Sequence, residues 1–315
     1  MEKLIEIIFS VGFGYSVLRV TTPILFAALG ALVSGKAGVI NIGLEGTMLS
    51  SALIGVIISA MTGSAWIGLI GSVVVGAFLG ILLAYVSLNL KADIILAGIA
   101  LNLMASGGTI FFLYVVAKDK GISSSLASKV LPAIQLPLIK NIPILGPIIS
   151  GHNVLTYFSI LLVIVIFFLL NRTPLGIQIR AVGENQNAAS SVGISVNKIK
   201  YISLAISGAL CGFGGAYMSM GYVSWFSRDM IAGRGYIALA AEAMGGSTPV
   251  GTFLTSLFFG FADALSNNLQ SLRVPSEFIQ MLPYFATIVG LVIYSSRKSK
   301  KIRESNKKDK QKSLL

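Results

Sequence analysis

Long apolar runs alternate along this chain with short polar breaks. The runs are 4–18, 20–34, 46–62, 65–88, 94–117, 154–170, 199–220, 233–246, 250–268 and 278–296. A helix needs about 20 apolar residues, at about 1.5 Å each, to cross the hydrocarbon of a bilayer. The pattern therefore predicts an all-α polytopic membrane protein with about ten transmembrane helices. The first, second and eighth runs fall short of a full span. An even number of crossings puts both termini on one side. The opening stretch MEKLIEIIFSVGFGYSVLRV does not read as a cleaved signal, because Glu2 and Glu6 outweigh Lys3 and no small-residue cleavage site follows.

The breaks differ in character. Residues 118–153 hold Pro132, Pro137, Pro143 and Pro147 between short apolar pieces, which forbids one continuous helix and predicts an external loop folded over the outer mouth. His152 lies in it and reads as a solvated loop histidine. Residues 171–200 are instead a basic polar island between two apolar runs, with Arg172, Arg180, Lys198 and Lys200 against Glu184. Positive loops stay cytoplasmic. Thr173-Pro174 bars helix continuation. From Glu184 to Val192 a short helix is expected, with Ala181, Ala188, Ala189 and Val192 as a smooth small-residue face, Gly193 at its C-terminal cap and Ser195 capping the next helix. Residues 20–117 and 199–296 each hold four runs, each begins with a helix and then a Gly-rich stretch, and their orientations are opposed. That is the inverted-repeat pattern of transporters.

Composition sharpens the class. Charged residues are 11% of the chain, against roughly 25% in soluble domains. The formal charge of +12 is concentrated at the end: residues 297–315 hold nine Lys or Arg against Glu304 and Asp309. This predicts a solvated cytoplasmic tail beside anionic membrane lipid, and no nucleic-acid role. With Cys211 as the only cysteine, neither an internal disulfide nor a cysteine metal cluster is available, and plain packing is its reading.

Candidate chemistry lies where polar residues interrupt the apolar runs. Gly30 to Ala37 nearly spells a phosphate-binding loop, but Ala37 stands where a magnesium-holding Ser or Thr is needed. No ATP hydrolysis and no cofactor are expected on this chain. Gly35, Gly38, Gly43 and Gly46 predict a Gly-broken helix at membrane depth, tolerated only where backbone is buried in protein or lines a cavity. Asn41 and Glu45 sit in it. A carboxylate there needs a partner, with Lys36 or a subunit interface as the candidates, and serves either a helix-tying network or substrate contact. Glu242 poses the same question, near Arg234 and Tyr236. Asn102, in the middle of an apolar helix, either binds ligand or ties helices. Asp263 reads as part of a polar outer rim. The pairs Gly76/Gly80 and Gly208/Gly212 have the spacing that lets helices approach closely.

Three runs carry a family resemblance: AVGENQNAASSVGIS (181–195), SGKAGVINIGLEGTML (34–49) and GRGYIALAAEAMGGSTPVG (233–251). In this order they resemble the permeases of ABC importers of the branched-chain amino acid, ribose and nucleoside type, and most of all the nucleoside and simple-sugar members. The resemblance implies a permease domain over 1–296 in a bacterial plasma membrane, with a nucleoside as cargo. It implies a separate ATPase subunit docked on Arg180, Gly183, Glu184, Asn185, Ala188, Ala189 and Gly193, a second and paralogous permease chain, and an extracytoplasmic substrate-binding lipoprotein. For a nucleoside the pathway residues are Asn41, Glu45, Asn102, Tyr236 and Glu242. Ribose or another simple sugar is the alternative cargo. An ion-coupled secondary carrier using Glu45, Asp93 or Glu242 is the alternative class.

Overall fold

The computed structural model describes residues 10–119, 121–137, 145–269, 285, 288–290 and 292. Its elements are α1 (Val11–Lys36), α2 (Leu44–Thr62), α3 (Ala65–Leu88), α4 (Ile94–Ala117), α5 (Leu145–Ile149), α6 (Val154–Arg172), α7 (Pro174–Glu184), α8 (Gln186–Ser191), α9 (Val196–Tyr217, continued by a π turn at Met218–Tyr222), α10 (Arg234–Met244) and α11 (Pro249–Leu269). Extended pairing among the described residues is limited to two isolated bridges, Ile122 with Ser227 and Ala133 with Asn153. Six of the described helices are long and apolar enough to cross a membrane: α1, α2, α3, α4, α6, and α9 with its π turn.

The expected runs 4–18 and 20–34 are not two spans. From residue 11 they form one helix, α1, that passes through Arg19. The guanidinium of Arg19, on the exposed side of the helix, donates to the Tyr222 carbonyl and sits over the Tyr222 ring at 4.5 Å, so the charge between the two runs is accommodated at the surface of one continuous helix. From Val20 to Ser34 every residue of α1 is buried, the signature of a helix apolar all round and packed on every side. The run 233–246 is also not a span: α10 has 11 residues, about 16 Å of helix. The run 278–296 and the tail 297–315 lie almost wholly outside the described residues.

Around α1 the other helices approach at backbone distance. A Cβ on Gly76 would lie 2.2 Å from the Gly208 carbonyl oxygen, and one on Gly208 would lie 2.1 Å from that of Gly76, so α3 and α9 meet with no side chain between them. The paired glycine spacing seen in the sequence is this contact. Gly260 of α11 meets α1 closely too, here against the Thr21 side chain, whose hydroxyl occupies the space a Cβ would need. Cys211 is buried at 0% exposure in α9. The near phosphate-loop sequence is helical through Lys36, with Gly30 against the Ser207 carbonyl.

The two ends of the bundle are marked by tertiary hydrogen bonds. At one end Tyr15 donates to the Gly151 carbonyl, and the described part of the 118–153 segment covers the tips of α2 and α9 through Lys129 N to Ser59 Oγ and Leu131 N to Met220 O. His152 is not solvated: it is 1% exposed, stacked on Tyr15 with centroids 4.0 Å apart, and its Nε2 is 2.8 Å from the Ile148 carbonyl. At the other end Gly183 packs on the last turn of α1, its Cβ position 2.1 Å from the Lys36 carbonyl. Ser10 and the 173–195 segment are therefore on opposite sides of the bundle.

Candidate functional site

Two places collect the polar residues of this apolar chain, and both are built around the break after α1. The break is short. α1 ends at Lys36, Gly38 turns the chain at φ +72°, and α2 restarts at Leu44. Asn41 stabilises the turn from inside: its Oδ1 accepts from Gly43 N at 3.0 Å and its Nδ2 donates to the Ser207 hydroxyl at 3.0 Å. It is 1% exposed, with both ends of its amide engaged.

Glu45 stands in the first turn of α2, and its carboxylate also closes the start of α10. Oε1 accepts from Gly233 N at 2.8 Å and Oε2 from Gly235 N at 2.7 Å. One charge thus faces the N-terminal ends of two helices, whose dipoles and free amides favour an anion. The partner expected of Lys36 is supplied instead by two backbone amides. Glycine is required at both: Gly233 adopts φ +81°, and a Cβ on Gly235 would lie 2.6 Å from Glu45 N. Arg234 points away and pairs with Asp263 at 2.9 Å, with side chains 12% and 13% exposed. Asp263 is therefore one half of a nearly buried ion pair that joins α10 to α11, not part of a solvated rim.

Asn102, at 9% exposure, ties three segments together. Its Oδ1 accepts from Gly46 N at 2.8 Å, and its Nδ2 donates to the Ile42 carbonyl at 3.0 Å and to the Tyr236 hydroxyl at 2.9 Å. Gly46 and Gly98 permit this, since a Cβ on either would come within 2.9 Å of the facing backbone. Asn41, Glu45, Asn102 and Tyr236 thus form one cluster at the α2–α4–α10 junction. Tyr236 is the exposed member at 48%, presenting a ring whose hydroxyl already accepts a hydrogen bond from Asn102 within the cluster. Glu242 is not part of it. Six residues further along α10, about 9 Å, its carboxylate lies by Gly35 and Ser247 at the end of α1. Sequence spacing offered no sign of the Ser106–Asp229 hydrogen bond at 2.9 Å beside this cluster, nor of the Arg234–Asp263 pair.

The second place is the 173–195 segment. Thr173 ends α6 and caps α7, its Oγ1 accepting from Gly176 N at 3.1 Å with Pro174 in the first helical position. The short helix expected from Glu184 to Val192 is α8, but it starts only at Gln186, and Glu184 and Ala181 fall in α7. Asn185, extended at φ −153°, closes α7 and caps α8, accepting from Ala188 N at 3.0 Å. Ala181 therefore belongs to a different helix from the others, and Ala189 is 3% exposed, whereas Val192 is 75% exposed and Ala188 and Glu184 are open to solvent. Gly193 takes the left-handed conformation at φ +84°. Ser195 occupies the cap position of α9 without a side-chain cap bond. Gly183 makes this segment mechanically continuous with the break. Its Cβ position would meet Lys36 O at 2.1 Å and Gly38 N at 3.1 Å, so α7 rests directly on the turn that leads to Asn41 and Glu45. Arg180 is exposed beside it.

Comparison with known proteins gives this arrangement a context. The profile of the branched-chain amino acid transport system / permease component family matches residues 15–295. The nucleoside ABC transporter permease protein NupC of Lactococcus lactis is 34% identical over 290 residues, covering 89% of this chain and 90% of that protein. The guanosine ABC transporter permease protein NupQ of Bacillus subtilis is 33% identical over 286 residues, covering 87% and 89%. Among solved structures, an inward-facing conformation of a metal-chelate type ABC transporter superposes with a TM-score of 0.52 at 16% identity, over 92% of this chain and 88% of that one. That likeness is one of fold.

Proposed function

This chain belongs to the branched-chain amino acid transport system permease family, and from that premise we propose that it is the membrane-spanning subunit of an ABC importer for nucleosides. The observation that carries the cargo is the match along nearly the whole length to permeases named for nucleoside and guanosine transport. ATP is hydrolysed on a separate subunit that docks on the α7–α8 segment. A second, paralogous permease chain completes the pore, and an extracytoplasmic lipoprotein delivers the cargo. The contact of Gly183 with the end of α1 supports this reading, because it offers a direct path from the docking segment to the polar cluster. Within that cluster Tyr236 is the residue assigned to the base or ribose, while Asn41, Glu45 and Asn102 hold the frame around it. Glu242 is assigned to the cytoplasmic end of the pathway.

In this reading the α7–α8 segment is cytoplasmic, and so is the basic tail. Because α1 is one span, its start at Ser10 is read as lying outside; the expectation of both termini in the cytoplasm falls on residues 1–9 and 297–315, outside the described residues. The two halves, 20–117 and 199–296, are assigned as the repeats, and α10 is read as the half-length helix of the second. The test is uptake of radiolabelled guanosine, uridine and ribose at nanomolar to micromolar concentration in cells with and without the gene. Loss of nucleoside uptake alone is expected. Loss of ribose uptake alone would replace the nucleoside with a sugar, and uptake that stops on collapse of the proton gradient at constant ATP would overturn the ABC mechanism.

A further inference from the structure

Beside the end of α1, between α6, α7 and the first turn of α11, lies a cavity of about 340 Å³. Its polar wall includes Lys36, Asn171, Arg180 and Thr248, and its apolar wall includes Phe167 and Val250. Lys36 and Arg180 also border a neighbouring space of about 600 Å³, which Glu184 lines. Neither cation has a carboxylate within 4 Å among the described residues, where the ion pairs are Arg228–Asp229 and Arg234–Asp263. Glu184 borders that larger space and the Glu242 carboxylate lies by Gly35, and neither lines the smaller cavity. The N-terminal end of α11, a 21-residue helix, opens into it and adds the positive end of its dipole.

The apolar wall says what kind of anion fits. Phe167 and Val250 are 41% and 53% exposed, and their helices continue as outward faces through Ile164, Phe168, Leu254 and Phe258, all exposed. An inorganic phosphate would find the two cations but make no use of this wall, which continues into the membrane-facing side of α6. A molecule with a negatively charged head and an alkyl chain would satisfy both walls at once. We propose that the cavity binds an anionic phospholipid, with its phosphodiester between Lys36 and Arg180 and an acyl chain along Phe167 and Val250. Basic pockets between membrane helices recognise lipid headgroups through this combination. The assignment concerns lipid alone and does not depend on the cargo.

The experiment uses the purified full-length chain in detergent, with phosphatidylglycerol, phosphatidylcholine and inorganic phosphate as separate probes. Native mass spectrometry and the thermal midpoint are the readouts. Phosphatidylglycerol is expected to remain as a one-to-one adduct and to raise the midpoint, and the other two probes are not. Lys36→Gln with Arg180→Gln should weaken phosphatidylglycerol binding about tenfold or more. Arg180→Gln alone, at an exposed side chain, keeps the test open if the double variant folds poorly, and Arg180→Lys should retain most of the binding. A response to phosphate equal to that of phosphatidylglycerol would make this a soluble-anion site and overturn the proposal. So would equal responses to the two lipids, or unchanged binding in the Gln variants.

Discussion

Glu45 shows how a carboxylate is held at membrane depth by backbone amides rather than by a direct ion pair. Each oxygen accepts one backbone amide from the start of α10, at 2.8 and 2.7 Å, so part of the cost of removing the charge from water is offset by two charge-assisted hydrogen bonds and two helix dipoles. Glu45→Ala orphans both donors, at about 1–3 kcal/mol each. The thermal midpoint of the purified protein should therefore fall well below that of Glu45→Gln, whose amide oxygen still accepts one. Equal midpoints would mean that Glu45 does not hold the α10 end. His152 is the residue whose charge state reports on the covering segment. Burial, with Arg19 adding to it, keeps the imidazole below its ordinary value near 6.5, against the opposing pull of the Ile148 carbonyl. The unfolded state then takes up a proton that the native one refuses, so stability is full above about pH 7.5 and declines as pH falls through the ordinary histidine range. The drop in midpoint between pH 8 and pH 5 should shrink in His152→Gln, and an undiminished drop would remove His152 from the account. At this scale the sequence revealed which residues were out of place in an apolar chain. Their partners were not legible: Asn102 meets Tyr236, and Glu45 meets Gly233, across more than a hundred residues, and only the fold brings them together.

Elements were most legible where an apolar run ended on its own chemistry. α4 begins at Asp93, whose carboxylate accepts from Ile95 N and Leu96 N, and α6 stops at Thr173-Pro174; both boundaries can be read from residue types. Legibility failed where local pattern and fold disagree: Arg19 separates the runs 4–18 and 20–34 yet lies within α1, and Asn185 ends one helix and starts the next inside the docking segment. The division at Asn185 changes how the docking segment is tested. Ala188→Arg, at an exposed position, should abolish co-purification of the ATPase subunit while leaving the permease in the membrane. Ala189→Arg should instead lower the amount of folded permease, because Ala189 is 3% exposed. Normal ATPase recovery with Ala188→Arg would sink the docking assignment. The α3–α9 contact is a second element-scale case. Gly76→Ala places a methyl group 2.2 Å from a carbonyl oxygen of α9, and it should cost about 1–3 kcal/mol or more, whereas Gly12→Ala, with nothing within 4 Å, should leave the midpoint nearly unchanged.

On the scale of the whole molecule, the class of protein was plain from hydropathy, but the count of crossings was not, because length alone cannot tell two short spans from one helix carrying an arginine on its surface. The correction matters for sidedness. The Tyr15–Gly151 hydrogen bond and the packing of Gly183 on Lys36 place Ser10 and the α7–α8 segment at opposite ends of the bundle, whatever the count beyond residue 269. Sidedness can be read directly because of the position of one side chain. Cys211 is the only cysteine in the sequence and is completely buried in α9. The unaltered protein is thus already a silent background for thiol labelling. A cysteine placed at Ser10 or at Ala188 can be reacted with a membrane-impermeant maleimide in intact cells, and the native thiol should contribute no signal.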